Sequence, residues 1–198
     1  MRRIFIGTLV VLTIALINGC ANRKITRVDP NETIDLSGRW NDSDSRLVSE
    51  EMIGDLLTSA WIPRYLKAND KRPVVVVGLV ENKSHEHINS ETFIKDVEKA
   101  IIRDGNIRLV VAGEKRNELR KERAEQQDYA SPETTKKWGK ELGADFISQG
   151  TINSIVDSYK KQKVVTYQID LQLTNIETNE VVWMGDKKIK KQISDRVL

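Results

Sequence analysis

The sequence predicts a single α/β domain, of the mixed α+β kind, in which a mixed sheet of about five strands is flanked by about four helices. Two patterns carry this reading. Apolar runs of strand length alternate with segments of helical periodicity through the first two thirds of the chain, and a strictly alternating strand followed by a turn and a return strand closes it. Ahead of the domain stand an apolar leader and a polar tether, so the organisation reads as residues 1–19 signal peptide, 20–43 flexible tether and 44–198 globular domain.

The leader opens Met1-Arg2-Arg3 and continues as a mostly apolar run from Ile4 to Ile17, the order of a secretory signal. The run falls short of the roughly 20 apolar residues that a membrane-spanning helix needs. It ends in Leu16-Ile17-Asn18-Gly19-Cys20, which resembles the bacterial lipobox, in which the cysteine is acylated and becomes the new N-terminus. Cys20 is therefore the expected lipidation site. It is the chain's one cysteine, so no disulfide and no thiolate metal site remain once it is modified. Several acyl chains at about 0.8 kcal/mol per buried methylene hold a protein firmly to a bilayer. Ala21, in place of Asp, implies the periplasmic face of the outer membrane under the sorting pattern of such lipoproteins.

Charge excludes one function class. Of 32 basic residues, Arg2 and Arg3 leave with the leader, so 30 face 29 acidic ones in the mature chain, and no global field gathers nucleic acid. The polar stretch from Ala21 to Ser43 reads as a tether reaching at most about 75 Å when fully extended.

From a Ser43 or Asp44 cap, Val48, Met52, Leu56 and Ala60 recur every four residues beside Ile53, Leu57 and Trp61, which predicts a helix to about Ser59, interrupted by Pro63. Pro73 to Val80 is apolar at both parities, as in a strand covered on both faces. Glu81 to Asn89 reads as a loop. Phe93, Val97 and Ile101 place a helix over Ser90 to Asp104, stopped by Gly105-Asn106, and Ile107 to Ala112 is then a strand parallel to the first. Lys115 to Asp128 carries five basic and four acidic residues and reads as a surface helix. Ser131-Pro132-Glu133 predicts a further helix bearing Trp138 and Leu142 and ended by Gly143. Asp145 to Ile155 is a third strand. Val165, Tyr167, Ile169, Leu171 and Leu173 alternate with polar residues in the fourth, and Val181 to Met184 returns after the turn Glu177 to Glu180.

These residues resemble the LpoB (YcfM) family of penicillin-binding protein activators, whose globular domain is similar to the N-terminal domain of TolB. The resemblance runs from Leu36 to about Lys188. Its most specific part is Leu36-Ser37-Gly38-Arg39-Trp40-Asn41-Asp42-Ser43-Asp44 leading into the first helix; Leu142-Gly143-Ala144-Asp145-Phe146 and Glu180-Val181-Val182-Trp183-Met184-Gly185 support it. It implies an outer-membrane lipoprotein that reaches a bifunctional class A penicillin-binding protein and stimulates peptidoglycan synthesis, with no cofactor and no small-molecule substrate. The better-known members carry a long proline-rich tether; this one is short and has only Pro30.

Chemistry-bearing motifs are sparse. His85-Glu86-His87 could begin a metal site, but the chain has only these two histidines and they fall in a predicted loop, so a solvated loop is the expectation. No nucleophile and base can be assigned, and the glycines follow neither the dinucleotide nor the Walker spacing, so an enzyme is not expected. Lys187, Lys188, Lys190 and Lys191 read first as a charged edge that discourages strand pairing, and second as a basic patch for an acidic partner or an anionic wall polymer. Arg39 and Trp40, residue types enriched in binding hot spots, join Lys115, Arg116 and Arg120 of the charged helix as candidate partner-binding residues, with the loop Glu81 to Asn89 nearby. Two other readings stay open. A CsgG-like structural subunit of an envelope or secretion assembly would use a comparable core but needs long membrane strands for which no segment is spare, and a periplasmic hydrolase would have to use His85 and His87.

Overall fold

The computed structural model describes residues 25–136 and 140–194. The leader, Cys20 and Trp138 lie outside them. In chain order the elements are α1 (Asp42–Thr58), α2 (Trp61–Asn69), β1 (Val74–Asn82), α3 (Ser90–Asp104), β2 (Arg108–Val110), α4 (Gly113–Tyr129), β3 (Phe146–Tyr159), β4 (Gln162–Asn175) and β5 (Val181–Ser194). The strands form one mixed sheet in the order β2-β1-β3-β4-β5. β1 pairs in parallel with β2 and β3, while β4 runs antiparallel to both β3 and β5. The parallel β1–α3–β2 crossover and the closing hairpin are as the sequence predicts.

Helices α1 and α3 lay their apolar faces on one side of the sheet. Val48, Met52 and Leu56 from α1 meet Phe93, Val97 and Ile101 from α3 over Val75 and Val77 of β1 and the odd-numbered residues of β4. The polar parity of β4, Thr166 to Thr174, faces the other side and is only half-buried. Burying a core side chain of this size stabilises by about 1.5–3 kcal/mol, so this face carries the fold.

Several expectations are corrected. The first helix begins at Asp42, capped by Asn41 and not by Ser43 or Asp44: the Asn41 side chain accepts the Asp44 N–H at 3.1 Å, and the Asp44 carboxylate accepts the Asn41 N–H at 2.9 Å. This reciprocal box satisfies two N–H groups that the helix itself cannot. Pro63 does not end helical structure but sits in the first turn of α2, where its missing N–H is no loss. The helix expected from Ser131 to Gly143 is absent from its described residues. Ser131 to Thr134 is a turn closed by Thr134 N–H to Ser131 C=O at 3.0 Å, and residues 140–144 have no regular structure. Two apolar points in that stretch are too few to hold a helix face against the sheet.

The last strand runs through the lysine cluster, which the sequence reading placed near its end, and on to Ser194. Its parity explains why: Trp183, Ile189 and Ile193 turn towards the core, and Lys187 and Lys191 lie on that same side. Gly150 of β3 faces Leu171 across the β3–β4 pair, where a Cβ would collide with the Asp170 carbonyl, so the close approach of these strands demands glycine. The compact unit begins at Thr33, before the Asp44 start read from sequence. Residues 25–32 are exposed and hold a single turn from Asp29 to Glu32.

Candidate interaction site

The segment from Thr33 to Asn41 is strapped to the domain through Trp40 and Lys191. The Trp40 N–H donates to Glu86 Oε2 at 3.0 Å, its indole Nε1 donates to Ser45 Oγ at 2.8 Å, and its ring meets the buried Tyr167 ring edge-on at 5.4 Å. Lys191 then gathers the chain on either side. Its ammonium lies 2.6 Å from Asp44 Oδ2 and 2.7 Å from Asp35 Oδ1, and donates to the Arg39 carbonyl at 3.0 Å. Burial opposes charge on Lys191, but the hydrogen bonds to Asp35 and Asp44 outweigh it and raise the ammonium's pKa above its ordinary value. The same Lys191 contact, with one from Asn41, lowers the pKa of Asp35.

The His85 loop belongs to this cluster, and His85 is not simply solvated. His85 Nδ1 lies 2.7 Å from Ser154 Oγ, Nε2 lies 3.3 Å from Glu86 Oε1, and the ring stacks over Tyr167 at 6.3 Å. Burial and the neighbouring Glu86 carboxylate raise the Tyr167 pKa well above its ordinary value. Its hydroxyl is buried without a well-formed hydrogen bond. Among the described residues no group of three or more His, Cys, Asp or Glu is placed to hold a metal. His85 and Glu86, the residues with most chemical capacity here, are engaged in fastening the strap.

The five candidate partner-binding residues do not form one surface. Arg39 and Trp40 sit against β4 and β5. Lys115, Arg116 and Arg120 sit on α4, which follows β2 at the opposite edge of the sheet. The Arg39 side chain is exposed, whereas Trp40 is half-buried as a packing residue. Arg116 Nε donates to the Val111 carbonyl at 2.8 Å. Arg120 forks onto Glu141 at 2.9 and 3.0 Å, with Arg123 adding a third contact at 3.2 Å. This bidentate geometry lowers the Glu141 pKa and raises that of Arg120. These arginines dock the 140–144 segment onto α4, while Lys115 stays exposed beside β2.

The lysines of β5 divide by parity. Lys187 pairs with Glu51 of α1 and Lys191 with Asp35 and Asp44, while Lys188 and Lys190 point from the other face of the sheet, exposed and across from Gln168 and Thr166. The cluster is thus half structural. Sequence reasoning missed Lys191 as the clasp, although its period-two spacing with Ile189 and Ile193 carried the signal. It also missed Ile102 and Arg108 beside the β2 edge, since nothing in the local pattern says which strand lies outermost.

A family model described as peptidoglycan-synthase activator LpoB matches residues 44–189. Among solved structures, the LpoB C-terminal domain from Escherichia coli is similar at 18% identity, covering 77% of this chain and 99% of that one with a TM-score of 0.45. The same domain from Salmonella enterica shares 15% identity over 74% of this chain and 98% of that one, with a TM-score of 0.42. No curated protein matches. The match over residues 44–189 takes in every element from the first turn of α1 to the middle of β5. The chain belongs to the LpoB family of peptidoglycan-synthase activators.

Proposed function

We propose that this chain is an outer-membrane lipoprotein anchored through Cys20, and that it binds and stimulates a bifunctional class A penicillin-binding protein by contact, without catalysis of its own. The observation that carries this reading is the family match over residues 44–189. Two features support it. The lipobox-like Leu16-to-Cys20 sequence supplies an anchor, and the Trp40, Glu86, His85 and Tyr167 cluster is bound up in packing and orientation.

Activation then follows from differential binding. A domain that docks more tightly to the active conformation of a synthase raises its population, by about tenfold for each 1.4 kcal/mol of preference, and needs no reacting group. Counted from Cys20 to Thr33, where the unit that holds the sheet begins, the lead-in is about 13 residues and would reach about 45 Å at most if fully extended. The target surface must come within that distance, plus the width of the domain, of the membrane.

The test is to crosslink intact cells and identify what copurifies with the lipidated protein and with a Cys20→Ala form. A class A synthase recovered with the first and depleted with the second, together with faster glycan polymerisation when the purified chain is added to that synthase, is the expected result. Recovery of envelope or secretion components with no wall synthase would overturn it.

A further inference from the structure

Among the described residues β2 is an edge strand, paired only with β1. The Arg108 N–H points inward and donates to the Pro73 carbonyl at 2.8 Å. Alternation along an extended strand therefore turns the N–H and C=O of Leu109 outward, to the open edge. Beside that edge, between α3 and the start of α4, lies a groove of about 480 Å³. Ile102, 64% exposed, and Val111, 41% exposed, give it an apolar lining. Scattered exposed apolar residues are ordinary, but here two flank one strand edge in one groove.

Charge selects what fits. Arg72, Lys95, Arg108 and Lys115 line the groove against one carboxylate, Glu98. Glu98 is taken by Lys95, and Arg72 donates to the Gly105 carbonyl at 2.8 Å. The exposed Arg108 guanidinium meets no carboxylate among the described residues. At the other edge of the sheet, β5 carries lysines on both faces, a pattern that resists strand addition.

We propose that this groove receives an extended acidic segment of the partner protein as an added strand on β2. Its backbone bonds to the outward groups of Leu109, its carboxylates meet Arg108 and Lys115, and an apolar side chain covers Ile102 and Val111. A free strand edge matches an extended backbone and not a helix, which is why the segment is a strand. The identity of the partner, though not the docking mode, rests on the activator reading above.

The experiment places a photoreactive benzoyl-phenylalanine at Ile102, or at Tyr159 on the far β-hairpin, in the full-length lipidated protein, irradiates cells and maps the crosslinked peptide. The expected result is an adduct at Ile102 to an acidic, non-helical segment. The pair Arg108→Glu and Lys115→Glu should cut its yield by about tenfold, while Arg108→Lys with Lys115→Arg restores it and Lys160→Glu with Lys161→Glu leaves it within about twofold. No adduct, an adduct to a second copy of this chain or to a segment without acidic residues, or a yield indifferent to charge reversal overturns the proposal. An acidic segment from a protein that is not a synthase keeps the groove and sinks the activator reading. A synthase captured at Tyr159 but not at Ile102 does the reverse.

Discussion

Lys191 and Asp44 form an ion pair of 2.6 Å in which both side chains are nearly out of solvent, 11% and 6% exposed. The pair ties the last strand to the first helix, and through Asp35 and the Arg39 carbonyl it ties both to the segment from Thr33 to Asn41.

Removing the cation alone leaves the Asp44 carboxylate buried without its partner, the arrangement in which ion pairs matter most. Lys191→Met is expected to destabilise the domain by about 3 kcal/mol in urea denaturation. Lys188→Met, three residues earlier on the exposed face, should change stability by less than about 0.5 kcal/mol. Equal effects from both would show that burial is not what distinguishes them.

Trp40 closes over Tyr167 and gives its N–H to Glu86, so the strap is part of the folded unit. Trp40→Ala should lower stability by about 2–3 kcal/mol, or roughly 8 °C in melting temperature for a domain of this size. A chain that starts at Asp44 should melt below one that starts at Thr33, by differential scanning calorimetry, because it lacks both Trp40 and Asp35.

Gly150→Ala drives a methyl group into the Asp170 carbonyl of the neighbouring strand. The backbone cannot move aside without breaking the β3–β4 ladder. The variant should lose about 2–3 kcal/mol or fail to fold, read by circular dichroism and chemical denaturation. Gly54→Ala on α1, where a Cβ meets nothing, should instead be neutral or slightly stabilising.

Asp145 gives a pH signature. Burial opposes its ionisation, but the Val74 N–H at 2.8 Å, with Tyr65 and Lys71 beside it, outweighs burial and keeps its pKa below the usual carboxylate value of 3.8. A group depressed in this way adds stability above the unfolded-state pKa, and the contribution is lost as pH falls through the folded value. Asp145→Asn should therefore destabilise the protein by about 1–2 kcal/mol near pH 7, with the gap to wild type closing as pH falls through the lowered folded-state pKa of Asp145. A gap that stays constant across that range would assign the loss to packing.

Element type was legible wherever a single face had to be dry. The period-two run of β4 and the period-four run of α1 declare themselves because each buried residue must recur on the side that meets the core, whatever the rest of the chain does. The elements that failed this test were those held by particular side chains. The stretch from Ser131 to Gly143 has good helix-start residues, but in its described parts Lys136 and Glu141 are held instead by Gln127, Arg120 and Arg123 from α4. The end of β5 read as a charged edge because the partners of Lys187 and Lys191 lie far away in sequence.

The candidate site divides in the same way. By itself the sequence determined the parallel crossover, the closing hairpin, the near balance of charge and the resemblance to one family, since these follow from local periodicity, counts and short motifs. Only the tertiary structure decided that Trp40 fastens the chain to the domain, that Lys187 meets Glu51 and Lys191 meets Asp35 and Asp44, and that β2 ends the sheet beside an apolar and basic groove. Those outcomes depend on strand order and on contacts across more than a hundred residues, and neither composition nor periodicity specifies which distant carboxylate a lysine will meet.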